Sequence, residues 1–416
     1  MFTRRNLLRL LIFAACALLA LGYLPEGWRR WNVLLPALSP LLGLGGAAAA
    51  RTVGVLTLAA LPLLILPLFK GRFFCWRLCP MGFVAETAGR LNKHSAGLVR
   101  KIPFVGKGLA LVIIASAAAG YPLLIWTDPL CIFNGFFAAW RQPLTWGSGV
   151  TAIGFILILL ASLVAPNIWC HRLCPLGGLE EMLMRLANRF RPPKEAAQTP
   201  TGLAAKVNVG RRVFLGFAVG GAAGLAYGRL KTAAAKTAAF IRPPGAADTN
   251  FNALCARCGN CMKACPYSLI VPDLGSSGID GLFTPVLKFR SQNPAQEQFC
   301  FQSCNACTNV CPTGAISALK AEEKMQTAIG IARIDKKKCI AWEKGEYCVV
   351  CQEFCPYQAI IESDHKNVKC PTVDADKCRG CGACESQCPA QPVAIIVEGL
   401  NPQPHVNAPA PNQAKV

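Results

Sequence analysis

Through about residue 230 the chain alternates apolar runs with short basic segments, and beyond it the alternation stops. The runs at 7–24, 52–69, 108–127, 148–166 and 213–228 are each close to the ~20 residues that cross a bilayer as a helix. They predict about five transmembrane helices. The run 33–50 is also apolar, but Pro36, Pro40 and the glycines at 43, 45 and 46 mark it as a re-entrant or interfacial segment. The second half reads differently. Short strand-like stretches such as "IARID" (331–335) and "PTVDAD" (371–376) lie between cysteine-dense loops.

Composition sharpens this division. The 416 residues are 53% hydrophobic and 16% charged, which fits membrane segments better than an ordinary soluble domain. Residues 1–240 hold 26 Lys/Arg against 6 Asp/Glu, and residues 241–416 hold 17 against 16. Six of the 23 cysteines precede residue 250. The basic residues sit between apolar runs and no nucleic-acid-binding motif occurs, so no nucleic-acid partner is expected. They instead set orientation through the excess of positive charge on the cytoplasmic side. The start (Arg4, Arg5, Arg9), the loop 70–107 and the loop 167–212 are strongly basic, whereas 128–147 carries only Arg141 and Asp128. Five spans put the basic segments in the cytoplasm and deliver residues 230–416 to the opposite side. A sixth span at 33–50 would break the rule.

The last run carries its own signal. "NVGRRVFLGFAVGGAAGLAYG" (208–228) places Arg211 and Arg212 before a weakly hydrophobic Gly/Ala run. It has the form of a twin-arginine export signal, here internal. That route carries folded domains, which suits a cargo loaded with metal clusters. The expected division is a membrane domain at 1–212, an anchor and linker at 213–240, a cysteine-rich domain at 241–398 and a disordered Pro/Ala/Asn-rich tail at 399–416.

Four cysteine quartets fill the second half: Cys255, Cys258, Cys261 and Cys265; Cys300, Cys304, Cys307 and Cys311; Cys339, Cys348, Cys351 and Cys355; and Cys378, Cys381, Cys384 and Cys388. The first and fourth have the C-x2-C-x2-C-x3-C-P spacing of bacterial ferredoxins, and all four keep the C-x2-C-x3-C-P ending. Three thiolates on a tight loop hold three irons of a cubane, and the fourth reaches the neighbouring cluster. The crossed rule predicts four [4Fe–4S] clusters. Cluster one takes Cys255, Cys258, Cys261 and Cys311, and cluster two takes Cys300, Cys304, Cys307 and Cys265. Cluster three takes Cys339, Cys348, Cys351 and Cys388, and cluster four takes Cys378, Cys381, Cys384 and Cys355. A disulfide framework or zinc sites would not call for four copies of this ending. The fold class is thus an α-helical membrane domain of about five transmembrane helices followed by an α+β tandem bacterial-ferredoxin-like domain, its strands in βαβ-type repeats. Four oxidised cubanes of about two negative charges each would leave this domain anionic.

With these motifs in place, residues 241–395 resemble the NapG/MauM-type ferredoxins through "RRVFLGF", "IRPPGA", "CARCGNCMKACPY", "CPTGAI", "KKKCIAWEKGEYCVVCQEFCP" and "PTVDADKCRGCGACESQCP". Residues 1–190 resemble the NapH/MauN-type membrane ferredoxins through "GRFFCWRLCP", "WTDPL" and "LVAPNIWCHRLCPLG". That membrane family usually carries a cytoplasmic ferredoxin pair after its last span, and none lies between Cys174 and the export signal here. The chain resembles a fusion of the two. The resemblance implies a quinol-dehydrogenase module in the bacterial inner membrane, with lipid and the quinol pool as partners and a periplasmic reductase as acceptor. Electron flow from a periplasmic dehydrogenase to quinone, or a redox or maturation role for a periplasmic metalloenzyme, stays open, and no catalytic residue is assigned.

One motif occurs twice. "CWRLCP" (75–80) and "CHRLCP" (170–175) each follow an apolar run, and the match extends to Glu86/Glu181 and Arg90/Arg185. Cys75, Cys79, Cys170 and Cys174 would gather on the cytoplasmic side as one further metal centre, as two dithiols, or as braces of a helix turn. Within a helix each pair would share one face. Arg77 and Arg172 read as positive-inside anchors. Cys16 and Cys370 read as bystanders, and Cys131 with Trp126 and Trp140 as a candidate lining for a quinol pocket. No C-x-x-C-H haem motif and no nucleotide-binding fingerprint occur.

Overall fold

The computed structural model describes residues 4–21, 31, 33–51, 55–91, 103–140, 152–190, 209–234, 240–247, 250–290, 299–365 and 367–406. The chain forms two compact units. The first is Met1–Ala233 with Asn252–Cys258 and Pro312–Ala315, and the second is Ala234–Phe251 with Gly259–Cys311 and Ile316–Val416. Parts of two of the three basic segments used for orientation, at 92–102 and 191–208, lie outside the described residues, as does 141–151.

The first unit is helical. One described helix, Val209–Ala234, contains a stretch, Val213–Leu230, long and apolar enough to cross a membrane. The other expected spans are apolar helices of smaller length, and prolines and glycines account for it. The run 52–69 is divided into Val55–Leu58 and Leu61–Lys70, with Pro62 in the first turn of the second piece. The run 108–127 stops at Ala118, ahead of Gly120 at φ +91° and Pro122. The helix Ile153–Val164 ends on an extended Ala165 because Pro166 follows. The segment 33–50 is two helices, Leu34–Ala37 and Pro40–Ala50, parted at extended Ser39 before Pro40.

This unit buries several polar side chains within its apolar core and exposes many large apolar ones. Ser39, Ser116, Asp128, Asn134 and Ser162 are fully buried, while Leu11, Leu18, Phe69, Leu157, Val164, Phe214 and Leu225 are more than half exposed. Some of the buried polar groups are paired, while Ser162 Oγ has no hydrogen-bond partner. Ser39 Oγ donates to Asp128 Oδ2 at 2.5 Å, and Asp128 Oδ1 accepts from the N–H groups of Leu130 and Cys131, capping the helix Pro129–Ala139.

Helix Val209–Ala234 seats against Val105–Ala118 through a glycine ridge at 216, 220, 224 and 228. Residues four apart share one face, and missing side chains let the backbones approach. A Cβ on Gly220 would lie 2.8 Å from Val112 Cα, whereas one on Gly221 meets nothing within 4 Å. Gly220→Leu is expected to cost about 1–3 kcal/mol through overpacking. A lower unfolding midpoint in detergent, with Gly221→Leu unchanged, is the predicted result; equal midpoints would contradict the packing.

The second unit is built from short strands: β1 (Ile270–Pro272), β2 (Pro285–Leu287), β3 (Gly330–Ile334), β4 (Ile360–His365), β5 (Val368–Val373) and β6 (Ile395–Gly399). They form three antiparallel pairs, β1–β2, β3–β6 and β4–β5. The "IARID" and "PTVDAD" stretches do contribute strands, but their pairing is antiparallel and not of the βαβ kind. Strands of three to six residues joined by cluster loops leave no crossover helix long enough for a parallel pair. In β6, Ile395, Val397 and Gly399 point inward and Ile396 and Glu398 outward. The core gathers Phe289, Ile329, Ile360 and Ile395 around the cysteines.

The expected disordered tail is ordered through residue 406. The free edge at 326–329 takes it as a partner: Leu400 N donates to Ile329 O (3.0 Å), Ala328 N to Pro404 O (3.0 Å) and Val406 N to Gln326 O (2.8 Å). The Gln403 side chain accepts from Gly245 N and donates to Pro243 O. Residues 407–416 lie outside the described residues.

Candidate metal centres

The quartets sit on tight loops that run into very short helices. Cys261 lies in the helix Asn260–Ala264 and Cys265 is its C-cap. Cys384 lies in Ala383–Gln387, which Cys388 closes. Cys339 caps Ile340–Lys344, and the long gap to Cys348 is this helix with its left-handed terminator, Gly345. Cys351 lies in Val350–Glu353, and Cys355 follows it.

Two cavities each bring together the members of one expected set. One is lined by Cys339, Cys348, Cys351 and Cys388 with Ile334, Ile340, Val350 and Ile395. The other is lined by Cys355, Cys378, Cys381 and Cys384 with Tyr357, Arg379 and Val397. Each combines three cysteines of one quartet with the last cysteine of another. Cys300, Cys304, Cys307 and Cys265 are likewise mutual neighbours, since Cys307 is influenced by the other three. Of the remaining set, Cys255 and Cys258 belong to the first unit and Cys261 and Cys311 to the second. In the first unit the buried Cys131 thiol hydrogen-bonds with Cys258, and Asn134 Nδ2 donates to Cys258 O at 2.6 Å.

These surroundings fit an iron–sulfur cubane. The walls are apolar, and main-chain N–H groups aim at sulfur: Ile316 N at Cys311 Sγ (3.4 Å), Ala332 N at Cys378 Sγ (3.4 Å) and Ala359 N at Cys355 Sγ (3.3 Å). Burial, then the neighbouring cysteines, pushes the Cys351 thiol up to about 12. Such thiols ionise when a metal takes the proton's place. Among the described residues no group of three or more His, Cys, Asp or Glu side chains is placed to hold a single metal ion.

Two buried cations lie beside the thiols. Lys324 is 4% exposed and donates to Phe301 O, next to Cys300 and Cys307. Arg379 is also 4% exposed and donates to the carbonyls of Met325, Asp376, Cys378 and Val406. A buried positive charge favours the reduced, more negative state of a cluster. Arg379→Gln is expected to lower the midpoint potential of one cluster by tens of millivolts (about 59 mV per tenfold for one electron). Redox titration followed by electron paramagnetic resonance checks this, and an unmoved potential would contradict it.

The repeated motif in the first unit has one geometry in both copies. Cys75 lies in Phe73–Arg77 and Cys170 in the π-turn Trp169–Leu173. Cys79 and Cys174 are extended residues ahead of Pro80 and Pro175, which start the next helices. Each pair therefore straddles a helix break and does not share one helical face, because a residue before proline is driven out of the α region. The break is braced identically: Gly82 N donates to Cys79 Sγ and Gly177 N to Cys174 Sγ, both at 3.4 Å. Cys79 is influenced by Cys170 and Cys174, and Cys75 by Cys79 and Cys174, so the four thiols are neighbours.

Glu180, which the repeat did not single out, joins them. It is 1% exposed, hydrogen-bonds with Cys75 and keeps Oε2 without a hydrogen-bond partner. Burial raises its carboxyl to about 6. The repeat-matched acids serve as struts: Glu86 pairs with Arg9 and Arg90, and Glu181 with Lys107 and Arg185. Arg77 and Arg172 lie over the Phe73 and Phe104 rings instead. Cys131 is buried, while Trp126 and Trp140 are exposed. Cys370 is a core residue whose thiol donates to Ala341 O at 3.4 Å.

Comparison with known proteins places these motifs. Residues 254–316 match a 4Fe-4S dicluster domain, residues 371–393 a 4Fe-4S binding domain, and residues 52–101 and 148–194, which contain the two CxxxCP motifs, another 4Fe-4S binding domain. The methylamine utilization ferredoxin-type protein MauM of Methylobacillus flagellatus is 34% identical over 177 residues, 40% of this chain and 72% of that protein. The ferredoxin-type protein NapG of Escherichia coli K12 is 34% identical over 213 residues, 47% of this chain and 89% of that protein. The ferredoxin-type protein NapF of the same strain is 30% identical over 164 residues, covering 39% and 86%. No solved structure matches. With its cysteine sets and these relatives, the chain belongs to the NapG/MauM family of ferredoxin-type proteins, iron–sulfur proteins of electron transfer.

Proposed function

We propose that this protein is a membrane-bound electron carrier that takes electrons from quinol and passes them through four [4Fe–4S] clusters to a periplasmic reductase. The ligands are the four crossed sets given by the quartets. The clusters supply one-electron carriers when bound. The chain's part is to hold them in dry, apolar surroundings, to aim N–H groups at their sulfurs and to set charge nearby.

The observation that carries this reading is the pair of cavities, each lined by three cysteines of one quartet and the last of another. The membrane placement of the helical unit is supported by its buried serines and acids, its exposed leucines and phenylalanines, and the glycine-ridge packing of Val209–Ala234. The charge pattern favours a cytoplasmic face for the CxxxCP motifs and a periplasmic one for the polyferredoxin. Cys75, Cys79, Cys170 and Cys174, with Glu180 beside them, then form a further redox or metal centre on the cytoplasmic side. Reverse flow, from a periplasmic dehydrogenase to quinone, uses the same parts.

Anaerobic mixing of the full chain in detergent with a naphthoquinol analogue tests the quinol step. Bleaching of the visible iron–sulfur absorbance is the predicted result. Intact clusters that dithionite reduces and quinol does not, in detergent and in native membranes, would sink it.

A further inference from the structure

The order of the cysteine sets in space differs from their order in sequence. Three contacts clasp the loop of the second quartet to the fourth set. Cys300 N donates to Cys381 O at 2.8 Å, joining a member of the second set to a member of the fourth, main chain to main chain. Gln302 Nε2 donates to Pro356 O at 2.7 Å, next to Cys355 of the fourth set. Tyr357, the next residue, lines the cavity of the fourth set and is influenced by Cys300 of the second.

Loop 299–302 is also held from its other side. Tyr267, which follows Cys265-Pro266 as Tyr357 follows Cys355-Pro356, stacks on Phe301 with centroids 4.2 Å apart. The loop thus lies between two equivalent Cys-Pro-Tyr corners. The fourth set meets the third through Cys384 and Cys351 and through the helices Ala383–Gln387 and Val350–Glu353, which pack together.

We infer that the second, fourth and third sets are arrayed in that order, with Tyr357 as the residue shared by the second and fourth, so that the fourth set lies between the other two. This rests on the reading of the sets as [4Fe–4S] sites. Tyr357 is a positioning residue. It lines the cavity of the fourth set and feels Cys300 of the second, and the Arg379 guanidinium lies 5.8 Å from its ring centroid.

Electron paramagnetic resonance of the fully reduced, full-length holoprotein tests the order through spin–spin coupling. Cys384→Ser, which removes a ligand of set four, is expected to slow the spin relaxation of the signals of both sets two and three. Cys348→Ser, in set three, is expected to leave the set-two signal unchanged. The converse, set two responding to Cys348→Ser and not to Cys384→Ser, would overturn the inference. Should either variant fail to fold, Tyr357→Ala keeps every cysteine. It is expected to shift the midpoint potentials of two clusters, those of sets two and four, with Tyr357→Phe shifting them less. A shift of one cluster alone, or of the third, would overturn the shared position. Iron content separates this from the functional reading, since well below about sixteen irons in the unaltered chain would sink that reading first.

Discussion

Cys351→Ala and Cys388→Ala are expected to erase the same cluster, while Cys355→Ala erases a different one. Cys351 and Cys355 are four residues apart on one loop, and Cys388 belongs to another quartet. A quartet-by-quartet assignment would pair the first two and leave the third apart. The cavities give the opposite grouping. Cys351 and Cys388 line one cavity, and Cys355 lines the other with Cys378, Cys381 and Cys384. Each variant should lose up to four of about sixteen irons, and the electron paramagnetic resonance spectra of Cys351→Ala and Cys388→Ala should lack one common signal. A common loss in Cys351→Ala and Cys355→Ala would refute the crossed sets.

Gly382→Ala is expected to cost several kcal/mol and to cripple the second pair of clusters. Gly382 lies between Cys381 and Cys384 at φ +85°, where a side chain is strained by about 1–3 kcal/mol. Its Cβ would also lie 2.1 Å from Cγ of Phe289, a ring that is 1% exposed and has nowhere to move. Relieving that overlap means displacing the core side chain or the cluster loop, which adds about 1–3 kcal/mol. The measurable outcome is a lower yield of folded protein and a loss approaching eight of about sixteen irons. Full occupancy with an unchanged unfolding midpoint would contradict the packing. Gly345→Ala, also at positive φ but with nothing within 4 Å of its Cβ, should show the smaller backbone cost alone.

The parts legible in sequence are those whose chemistry is local. Ligand spacing within a quartet is fixed by one tight loop, so C-x2-C-x3-C-P names its metal without knowledge of the fold. The arrangement of the sets was not legible, because Cys300 and Cys381 meet through a main-chain bond that no side chain announces. Apolarity along the first half marked where helices lie but overstated their length. Pro62, Pro122 and Pro166 end or divide helices inside runs that average as continuous. Glu180 is not marked by the repeat, because its counterpart in the first copy is Ala85 and the copies match at Glu86 and Glu181. The buried carboxyl beside Cys75 is where the repeat departs from itself. The tail misled through composition: Pro402 and Pro404 suggest disorder, yet residues 400–406 pair with the 326–329 edge.

The most direct test of the central claim is the iron and acid-labile sulfide content of the full chain purified anaerobically. About sixteen of each per chain is the predicted result, with any excess of iron falling in Cys75→Ser. Eight or fewer of each, or zinc in place of iron, would contradict the account.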